Sequence, residues 1–124
     1  MKILLVEDDI MLNEMITEYI TSTGHAIKSV KTGNESLEIL DKEKFDLLIL
    51  DINLPDIDGF TILEKMHEQK RMIPTIYISA LIDIEDISRA FDLGCFDYLK
   101  KPFHLKELTL RINKILKTRI VPQR

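Results

Sequence analysis

Chemically reactive side chains follow several short strand-like runs of the sequence, each at the point where its run ends. They are Glu7, Asp8 and Asp9 after ILLV, Asp51 and Asn53 after LLIL, Ser79 after TIYI, and Lys100 and Lys101 after FDYL. Carboxylates of this kind could bind a hard divalent cation, and a hydroxyl with a lysine could stabilise the oxygens of a phosphoryl group. The pattern indicates metal-assisted phosphoryl chemistry.

Most of these residues, taken singly, also have an ordinary structural explanation. Asp9 and Asp58 could cap the helices that begin near residues 10 and 59, because aspartate is a favoured N-cap. Ser79 could bond to the backbone at the end of its strand, and Asp56 could serve as a turn or cap residue before the same helix as Asp58. Asp51 is harder to explain, since a turn does not need an acid directly after four buried aliphatic residues.

The carboxylates taken together favour a metal ion. Three carboxylates held close repel one another, so without a counter-ion at least one would have a raised pKa. Mg²⁺ prefers oxygen ligands, keeps several waters and typically takes one or two carboxylates with a phosphate oxygen. Asp8 and Asp51 are therefore the candidate direct ligands, with a main-chain carbonyl such as that of Asn53. Glu7 would act through water.

Asp51 would keep one carboxylate oxygen free for reaction. A carboxylate can attack phosphorus to give an aspartyl phosphate. Phosphoryl transfer asks mainly for positioning and for neutralisation of charge, which a metal ion and a lysine such as Lys101 could supply. The hydroxyl of Ser79 could donate to a further phosphoryl oxygen.

The position of these residues depends on an alternation of strand-like and helical patterns. Strands are predicted at residues 2–6, 26–30, 46–50, 75–78 and 96–99, each followed by a segment long enough for a helix. Five repeats of strand then helix predict an α/β domain with a parallel sheet, because a crossover helix returns the chain to the same edge. Ligands bind beyond the carboxyl ends of such strands, so all the residues above would lie on one rim.

The helical segments carry apolar residues at helical spacing. The first, third and fifth helices are marked by Leu12, Met15, Ile16, Tyr19 and Ile20, by Ile62, Leu63 and Met66, and by Leu105, Leu108, Ile112, Ile115 and Leu116. A weaker fourth stripe and a short second one are formed by Ile84, Ile87 and Phe91, and by Leu37 and Leu40.

Composition limits the other classes of function. The 124 residues suffice for one domain with one core, and the longest apolar runs are far too short for a membrane span. The single cysteine, Cys95, excludes an internal disulfide and a cysteine zinc site. Residues 1–99 carry nine basic and 20 acidic side chains, and 100–124 carry eight basic and one acidic. The acidic body would repel nucleic acid. The basic end could indicate a DNA contact, but cations there also favour the dipole of their own helix, which is the preferred interpretation. Without a membrane span or a signal peptide at the N-terminus, a cytoplasmic protein is expected.

Four motifs in this order resemble the receiver domain of bacterial two-component response regulators. They are the acidic pair in LLVEDD, the phosphoacceptor in LLILDINLPDIDGF, the hydroxyl in TIYISA and the lysine in GCFDYLKKPF. The resemblance implies a receiver domain over residues 1–118, of the doubly wound, flavodoxin-like (βα)5 class with a five-stranded parallel sheet of order 2-1-3-4-5. Residues 119–124 would begin a linker or a disordered tail.

The resemblance implies a role for each residue of the rim. These roles are an acidic pair for Glu7 and Asp8, phosphoacceptor for Asp51, carbonyl ligand for Asn53, switch hydroxyl for Ser79 and invariant lysine for Lys101. The cofactor would be Mg²⁺, which Mn²⁺ could replace, and the phosphoryl donor would be a histidine kinase. The domain would catalyse only its own phosphorylation and dephosphorylation. In this family the bond between the lysine and Pro102 is usually cis.

Tyr98 falls at the position of the family's switch aromatic residue, although a tyrosine in the last strand also packs half-buried in many proteins. The resemblance implies that phosphorylation draws Ser79 inward and that the Tyr98 ring follows. The face formed by the fourth helix, the fifth strand and the fifth helix would then change shape.

The segment KPFHLKELTLRI resembles regulators that carry a winged-helix DNA-binding output, and in these the same face commonly forms a homodimer through ion pairs. Asp97, Glu107 and Arg111 fit that pattern. Ile87 stands where a basic partner is usual and Phe96 replaces a usual acid, so a more apolar contact is an alternative. A DNA-binding output domain after residue 124 is expected in the native protein.

Three alternatives remain at this point. A phosphohydrolase of the haloacid dehalogenase type also forms an aspartyl phosphate, but it places its nucleophile after the first strand and a second carboxylate two residues on, where this chain has Asn53. A flavin-binding domain of similar topology would need hydroxyl and glycine residues after the first strand to bind a phosphate. The acids that this chain has at 7–9 would repel one. A degenerate receiver that only binds partners would have lost site residues, and here all are present.

Overall fold

The computed structural model of the chain describes residues 1–80, 84–93 and 95–120, with the backbone alone described at residues 95, 96 and 118–120. Strands and helices alternate along the described chain. Their bounds are β1 Lys2–Val6, α1 Ile10–Ser22, β2 Ala26–Val30, α2 Gly33–Lys42, β3 Leu47–Asp51, α3 Gly59–Glu68, β4 Thr75–Ser79, α4 Ile84–Asp92, β5 Cys95–Lys100 and α5 Leu105–Ile120.

All five strands are parallel and lie in the order β2-β1-β3-β4-β5. The helices α2, α3 and α4 cover one face of the sheet, and α1 and α5 cover the other. Residues 47–50 of the central strand β3 are fully buried between the two layers, and each such aliphatic side chain contributes about 1.5–3 kcal/mol to stability. The predicted doubly wound fold and its strand order are confirmed. Within the described residues, no helix is both long and apolar enough to cross a membrane.

Three strands, β3, β4 and β5, end one residue later than predicted, and the difference at β3 and β4 bears on the site. Strand β3 begins at Leu47 rather than Asp46, and the carboxylate of Asp46 accepts a hydrogen bond from Lys2 N at 2.8 Å. At its other end, Asp51 pairs with Ile78 of β4 and is itself a strand residue. Ser79 likewise ends β4. Both side chains are therefore placed by the rigid sheet rather than by a loop.

Helix α1 buries a different face from the predicted stripe. Ile16 and Ile20 are buried as expected, but Met15 is 50% exposed and the polar residue Asn13 is buried in the interior. The side-chain amide of Asn13 donates to backbone oxygens at the end of the neighbouring strands, which compensates its burial. The apolar spacing thus predicted the position of the helix correctly, but it predicted only part of the buried face.

Helix α4 also differs from expectation. Its apolar residues Ile84 and Phe91 are 78% and 50% exposed, Ile87 is half-buried, and Ala90 is the residue that enters the core. Residues three and four apart share one side of a helix. Ile84, Ile87 and Phe91 therefore form an apolar stripe on the surface, called the α4 stripe below. By contrast, the stripes predicted in α3 and α5 face the core at Ile62, Leu63, Met66, Leu108, Ile112 and Ile115.

The end of α3 adopts a Schellman motif around a residue with positive φ. Arg71 N donates to Met66 O at 2.9 Å and Lys70 N donates to His67 O at 3.1 Å, with Lys70 at φ 56°. This left-handed conformation is unfavourable for a residue with a Cβ. We expect Lys70→Gly to raise the free energy of unfolding by about 0.5–1 kcal/mol in urea titrations. Lys65→Gly inside the same helix is the control and should lower it by about 1 kcal/mol. A Lys70→Gly variant less stable than wild type would contradict the prediction.

Candidate functional site

Three carboxylates meet beyond the carboxyl ends of β1 and β3. Glu7, Asp8 and Asp51 each offer an oxygen within 4.8 Å of the others. Glu7 and Asp51 are buried, and Asp8 is exposed. The sheet brings them together because β1 and β3 are adjacent and in register, with Val6 beside Leu50. The predicted clustering of these acids on one rim is confirmed.

Lys101 is the cation of the site. Its Nζ lies 2.7 Å from Glu7 Oε1 and 3.0 Å from Asp51 Oδ2. The backbone N–H of Lys101 donates to Ser79 O at 2.8 Å, and its bond to Pro102 is cis. The lysine is thus joined to β4 through its main chain and to β1 and β3 through its side chain.

The charges of the site do not balance. The pKa of Glu7 is raised to about 7, mainly by burial and in part by the negative charge of Asp51. The hydrogen bonds from Lys101 and from the Asp9 N–H act in the opposite direction and lower it. Burial lowers the pKa of Lys101, but its hydrogen bonds to Glu7 and Asp51 outweigh this, so that pKa is raised from its usual value. The expectation that at least one carboxylate would have a raised pKa is confirmed for Glu7, although burial rather than crowding is the main cause.

Asn53 and Ser79 complete the surroundings of the Asp51 carboxylate. Asn53 N donates to Asp51 Oδ1 at 2.9 Å, and Asn53 Nδ2 donates to Ser79 Oγ at 3.2 Å. One oxygen of Asp51 is therefore oriented by the backbone of Asn53 and the other by Lys101. The Asn53 carbonyl as a metal ligand stays a prediction.

The donor set suits a hard divalent cation. Its members are carboxylate oxygens from three residues in one small volume, which is the ligand type that Mg²⁺ and Mn²⁺ take. Burial and the negative charge of Asp51 keep the Glu7 pKa high, and a bound cation would oppose both effects. Asp8 and Asp51 would hold the ion directly, and Glu7 through water.

Two residues that the sequence reasoning missed hold the loops of the site. Asn13 Nδ2 donates to Glu7 O at 3.0 Å and to Val30 O at 3.4 Å, which fastens the acidic loop to α1. Asp56 accepts hydrogen bonds from Gly33 N and Asn34 N, each at 2.8 Å. A polar residue within an apolar stripe was a usable signal for Asn13, whereas nothing local pointed from Asp56 to α2.

The cap and turn residues agree with the prediction, and one of them has a further contact. Asp9 caps α1 by accepting from Leu12 N, and Asp58 caps α3 by accepting from Phe60 N, as expected. Asp56 lies in the bend before α3, as expected, and its carboxylate also accepts hydrogen bonds from the first N–H groups of α2. Its small burial raises its pKa, but the hydrogen bonds from the Asn34 and Gly33 N–H groups hold it below the usual value.

The residues predicted for an interface are placed on β5, α4 and α5. Arg111 lies 2.6 Å from Asp97 and 3.5 Å from Glu107, so these charges pair within one chain. Tyr98 is half-buried and packs against the core cluster that contains Tyr77. The side chain of Phe96 and the residues at 81–83 lie outside the described part of the chain. The roles of these residues as switch or interface stay predictions.

Comparison with known proteins gives consistent relatives. The profile of the family described as response regulator receiver domain matches residues 3–113. The transcriptional regulatory protein CrdR of Helicobacter pylori is 38% identical over 114 residues, which cover 91% of this chain and 54% of that protein. The transcriptional regulatory protein RprY of Bacteroides fragilis is 36% identical over 117 residues, which cover 94% and 50%. The chain spans about half the length of these curated relatives.

Solved structures of receiver domains are also similar. The receiver domain of the Francisella response regulator 1452 superposes with a TM-score of 0.89 at 29% identity, covering 95% of this chain and 98% of that one. The non-phosphorylated HemR receiver domain of Leptospira biflexa gives a TM-score of 0.87 at 32% identity, covering 99% and 96%.

Proposed function

This chain belongs to the response regulator receiver domains of two-component systems, and on that basis we propose that it is a phosphoacceptor switch whose Asp51 takes a phosphoryl group from a histidine kinase. One observation carries the proposal. The Asp51 carboxylate stands at the end of a buried strand, held by Asn53 N and Lys101 Nζ, beside two further carboxylates. This is a nucleophile fixed in a site that suits a divalent cation.

The transfer exchanges one bond for another. An oxygen of Asp51 forms a bond to phosphorus while the bond from phosphorus to the imidazole nitrogen of the kinase breaks, and its electron pair returns to the imidazole. Bound Mg²⁺ supplies charge neutralisation for the phosphoryl oxygens. Lys101 moves from pairing with Asp51 to contact a phosphoryl oxygen, and the Ser79 hydroxyl donates to another. Hydrolysis then releases phosphate and restores Asp51, so the domain acts on no external substrate.

The surface beside the site suits a protein phosphodonor. A groove next to Lys101 is lined by Met11, Met15 and Phe103, and Met11 and Met15 are 74% and 50% exposed. Flexible, exposed methionines adapt to a partner's apolar surface. A helix of the kinase that presents its phosphohistidine to Asp51 would cover this groove.

The phosphorylated state would act through Ser79 and Tyr98. The added phosphoryl charge draws the Ser79 hydroxyl toward Asp51, away from Asn53, and Tyr98 turns into the space behind it. The surface of α4, β5 and α5 then favours a new partner. The receiver domain would span residues 1–118, and a linker would begin after α5, which continues to Ile120.

The output would be transcription, as in the relatives named transcriptional regulatory proteins. A DNA-binding domain that follows residue 124 in the native protein would make the DNA contact. The receiver itself would not, because residues 1–99 carry an excess of 11 acidic side chains. Its place of action would be the cytoplasm.

The function is tested by incubating the protein with acetyl phosphate and Mg²⁺, with and without EDTA, and measuring intact mass. We expect the mass of one phosphoryl group to be added only when Mg²⁺ is present, with Mn²⁺ as a substitute. A protein that gains no mass would contradict the proposal. Release of many phosphates per protein from a small phosphate ester would favour the phosphohydrolase instead.

Phosphorylation should also promote dimerisation through the α4 stripe. Asp97, Glu107 and Arg111 are paired within the chain, whereas Ile84 of the stripe is 78% exposed. We expect beryllofluoride with Mg²⁺, which mimics the phosphoryl group, to produce dimers in light scattering. Ile84→Asp should weaken them by about tenfold or more, because a charge would be buried in an apolar contact.

The control for dimerisation is Met11→Asp, which places the same charge on an exposed apolar position of α1, on the opposite layer of the sheet. It should leave the dimer unchanged. Equal weakening by both variants, or a protein that stays monomeric with beryllofluoride bound, would contradict the α4 stripe as the dimer contact.

A further inference from the structure

The loop after β3, residues 52–58, carries the groups that orient the phosphoacceptor. Within it, Asn53 donates through its backbone to Asp51 and through its side chain to Ser79. Leu54 and Ile57 are partly buried and pack against the core, whereas Asn53, Pro55 and Asp56 are exposed. Apolar packing thus holds Leu54 and Ile57, and the exposed residues Asn53 and Asp56 are held by their hydrogen bonds.

The base of the loop is closed by α3. Gly59 N donates to Ile52 O at 2.9 Å, and a Cβ on Gly59 would lie 2.7 Å from Asp51 O. The backbone at the start of the loop thus lies directly against the backbone of Gly59, where the loop ends. This contact fixes the two ends of the loop, and the position of the exposed residues between them depends on other contacts.

The middle of the loop is fastened to α2. Both oxygens of the Asp56 carboxylate are used, one by Gly33 N and one by Asn34 N, each at 2.8 Å. A Cβ on Gly33 would come within 2.2 Å of Ile57 Cγ1, so the loop lies directly against the first turn of the helix. A carboxylate at this end of a helix also interacts favourably with its dipole.

We propose that Asp56 is a positioning residue for phosphorylation, which holds the loop on the N-terminus of α2 and thereby keeps Asn53 above Asp51 and Ser79. The inference rests on the proposed function of Asp51. Asp56 does not touch the reacting atoms; it acts through Asn53, whose backbone N–H orients one oxygen of the acceptor and whose carbonyl would face the metal.

The same helix end offers a matched control. Thr32 caps α2 from its own side, because its hydroxyl accepts from Glu35 N at 3.1 Å. Thr32→Ala therefore weakens the N-terminus of α2 but leaves the hydrogen bonds between Asp56 and the helix in place. Asp56→Ala weakens the same N-terminus and releases the loop as well. The difference between the two variants isolates positioning from capping.

The experiment compares wild type, Asp56→Ala, Asp56→Asn, Asp56→Glu and Thr32→Ala, with folding verified by circular dichroism. Hydrogen exchange is measured in the absence of metal. Asp56→Ala should speed exchange at the amides of Gly33 and Asn34 and also at Asn53, whereas Thr32→Ala should affect Glu35 and leave Asn53 protected. Asp56→Asn should fall between Asp56→Ala and wild type, because an amide can accept one of the two bonds.

Metal binding and phosphorylation give the second readout. Asp56→Ala should bind Mg²⁺ about tenfold more weakly in calorimetry, as expected when a group that supports a metal ligand is removed. Its phosphorylation by acetyl phosphate should be slow at low Mg²⁺ and recover at saturating Mg²⁺. Asp56→Glu should recover part of the affinity, and Thr32→Ala should match wild type.

The outcomes separate this inference from the proposed function. If wild type is phosphorylated and Asp56→Ala matches Thr32→Ala in Mg²⁺ affinity and in Asn53 exchange, Asp56 only caps α2 and the inference is wrong. If wild type neither binds Mg²⁺ nor accepts a phosphoryl group, the proposed function fails first and the phosphorylation role of Asp56 fails with it.

Discussion

Asp51→Asn should reduce phosphoryl uptake from acetyl phosphate by at least about 1000-fold, the scale on which loss of a reacting group acts. An amide is not a useful nucleophile toward phosphorus, and it removes one negative charge from the donor set for the metal. The fold should survive, since the asparagine Oδ1 can still accept the hydrogen bond that Asn53 N makes at 2.9 Å. Intact mass after incubation with acetyl phosphate and Mg²⁺ measures the loss.

The control for this substitution is Asp41→Asn. Asp41 is an exposed acid of α2 that pairs with Arg71 at 2.8 Å, far from the carboxyl ends of the strands. This variant should gain a phosphoryl group as fast as wild type. An Asp51→Asn protein that gains as much as wild type would mean that another residue is the acceptor.

The residues at the rim of the site could be predicted because their position depends on the topology of the sheet. Parallel strands place the residues at their carboxyl ends together, so an acid after residues 47–50 and a lysine after Leu99 had to meet if those runs were strands. The raised pKa of Glu7 comes first from burial and only in part from this crowding. The order of strands came from the family resemblance rather than from the pattern itself.

What the sequence did not predict depends on contacts between elements. Asp56 accepts hydrogen bonds from two residues at the start of α2, which lie 22 and 23 positions earlier in the chain. No local pattern of residue types predicts a contact between residues so far apart. Met15 and Asn13 both lie near the edge of the apolar stripe of α1, and tertiary packing buried the polar one. The apolar spacing in α4 predicted a helix correctly, but spacing alone does not say which side the sheet covers.

Lys101→Met should destabilise the metal-free protein by about 2 kcal/mol at pH 8, because removing one partner of a buried ion pair leaves the other uncompensated. Glu7 is fully buried and lies 2.7 Å from Lys101 Nζ, and Asp51 lies 3.0 Å from it. Methionine keeps the length and apolar stem of lysine, so the change removes mainly the charge. Urea titration in EDTA measures the loss, and Lys100→Met, an exposed neighbour, is the control.

The loss should depend on pH with a definite sign. The pKa of Glu7 is raised in the folded protein from 4.5 to about 7, so the folded state binds more protons between these values and stability falls as pH rises through them. Without Lys101 the hydrogen bond that lowers this pKa is gone. The pKa should rise further, and the deficit of the variant against wild type should be small near pH 5 and grow above pH 7.

Metal binding and phosphorylation should move in opposite directions in Lys101→Met. Mg²⁺ should stabilise the variant more than wild type, because the ion then supplies the positive charge that Glu7 and Asp51 lack and no longer competes with an ammonium group for Asp51. Phosphoryl uptake should still be slower by about tenfold or more at saturating Mg²⁺, since the lysine that would contact a phosphoryl oxygen is absent. A variant as stable as wild type in EDTA, with unchanged Mg²⁺ affinity and uptake, would show that Lys101 neither balances the charges of the site nor assists the transfer.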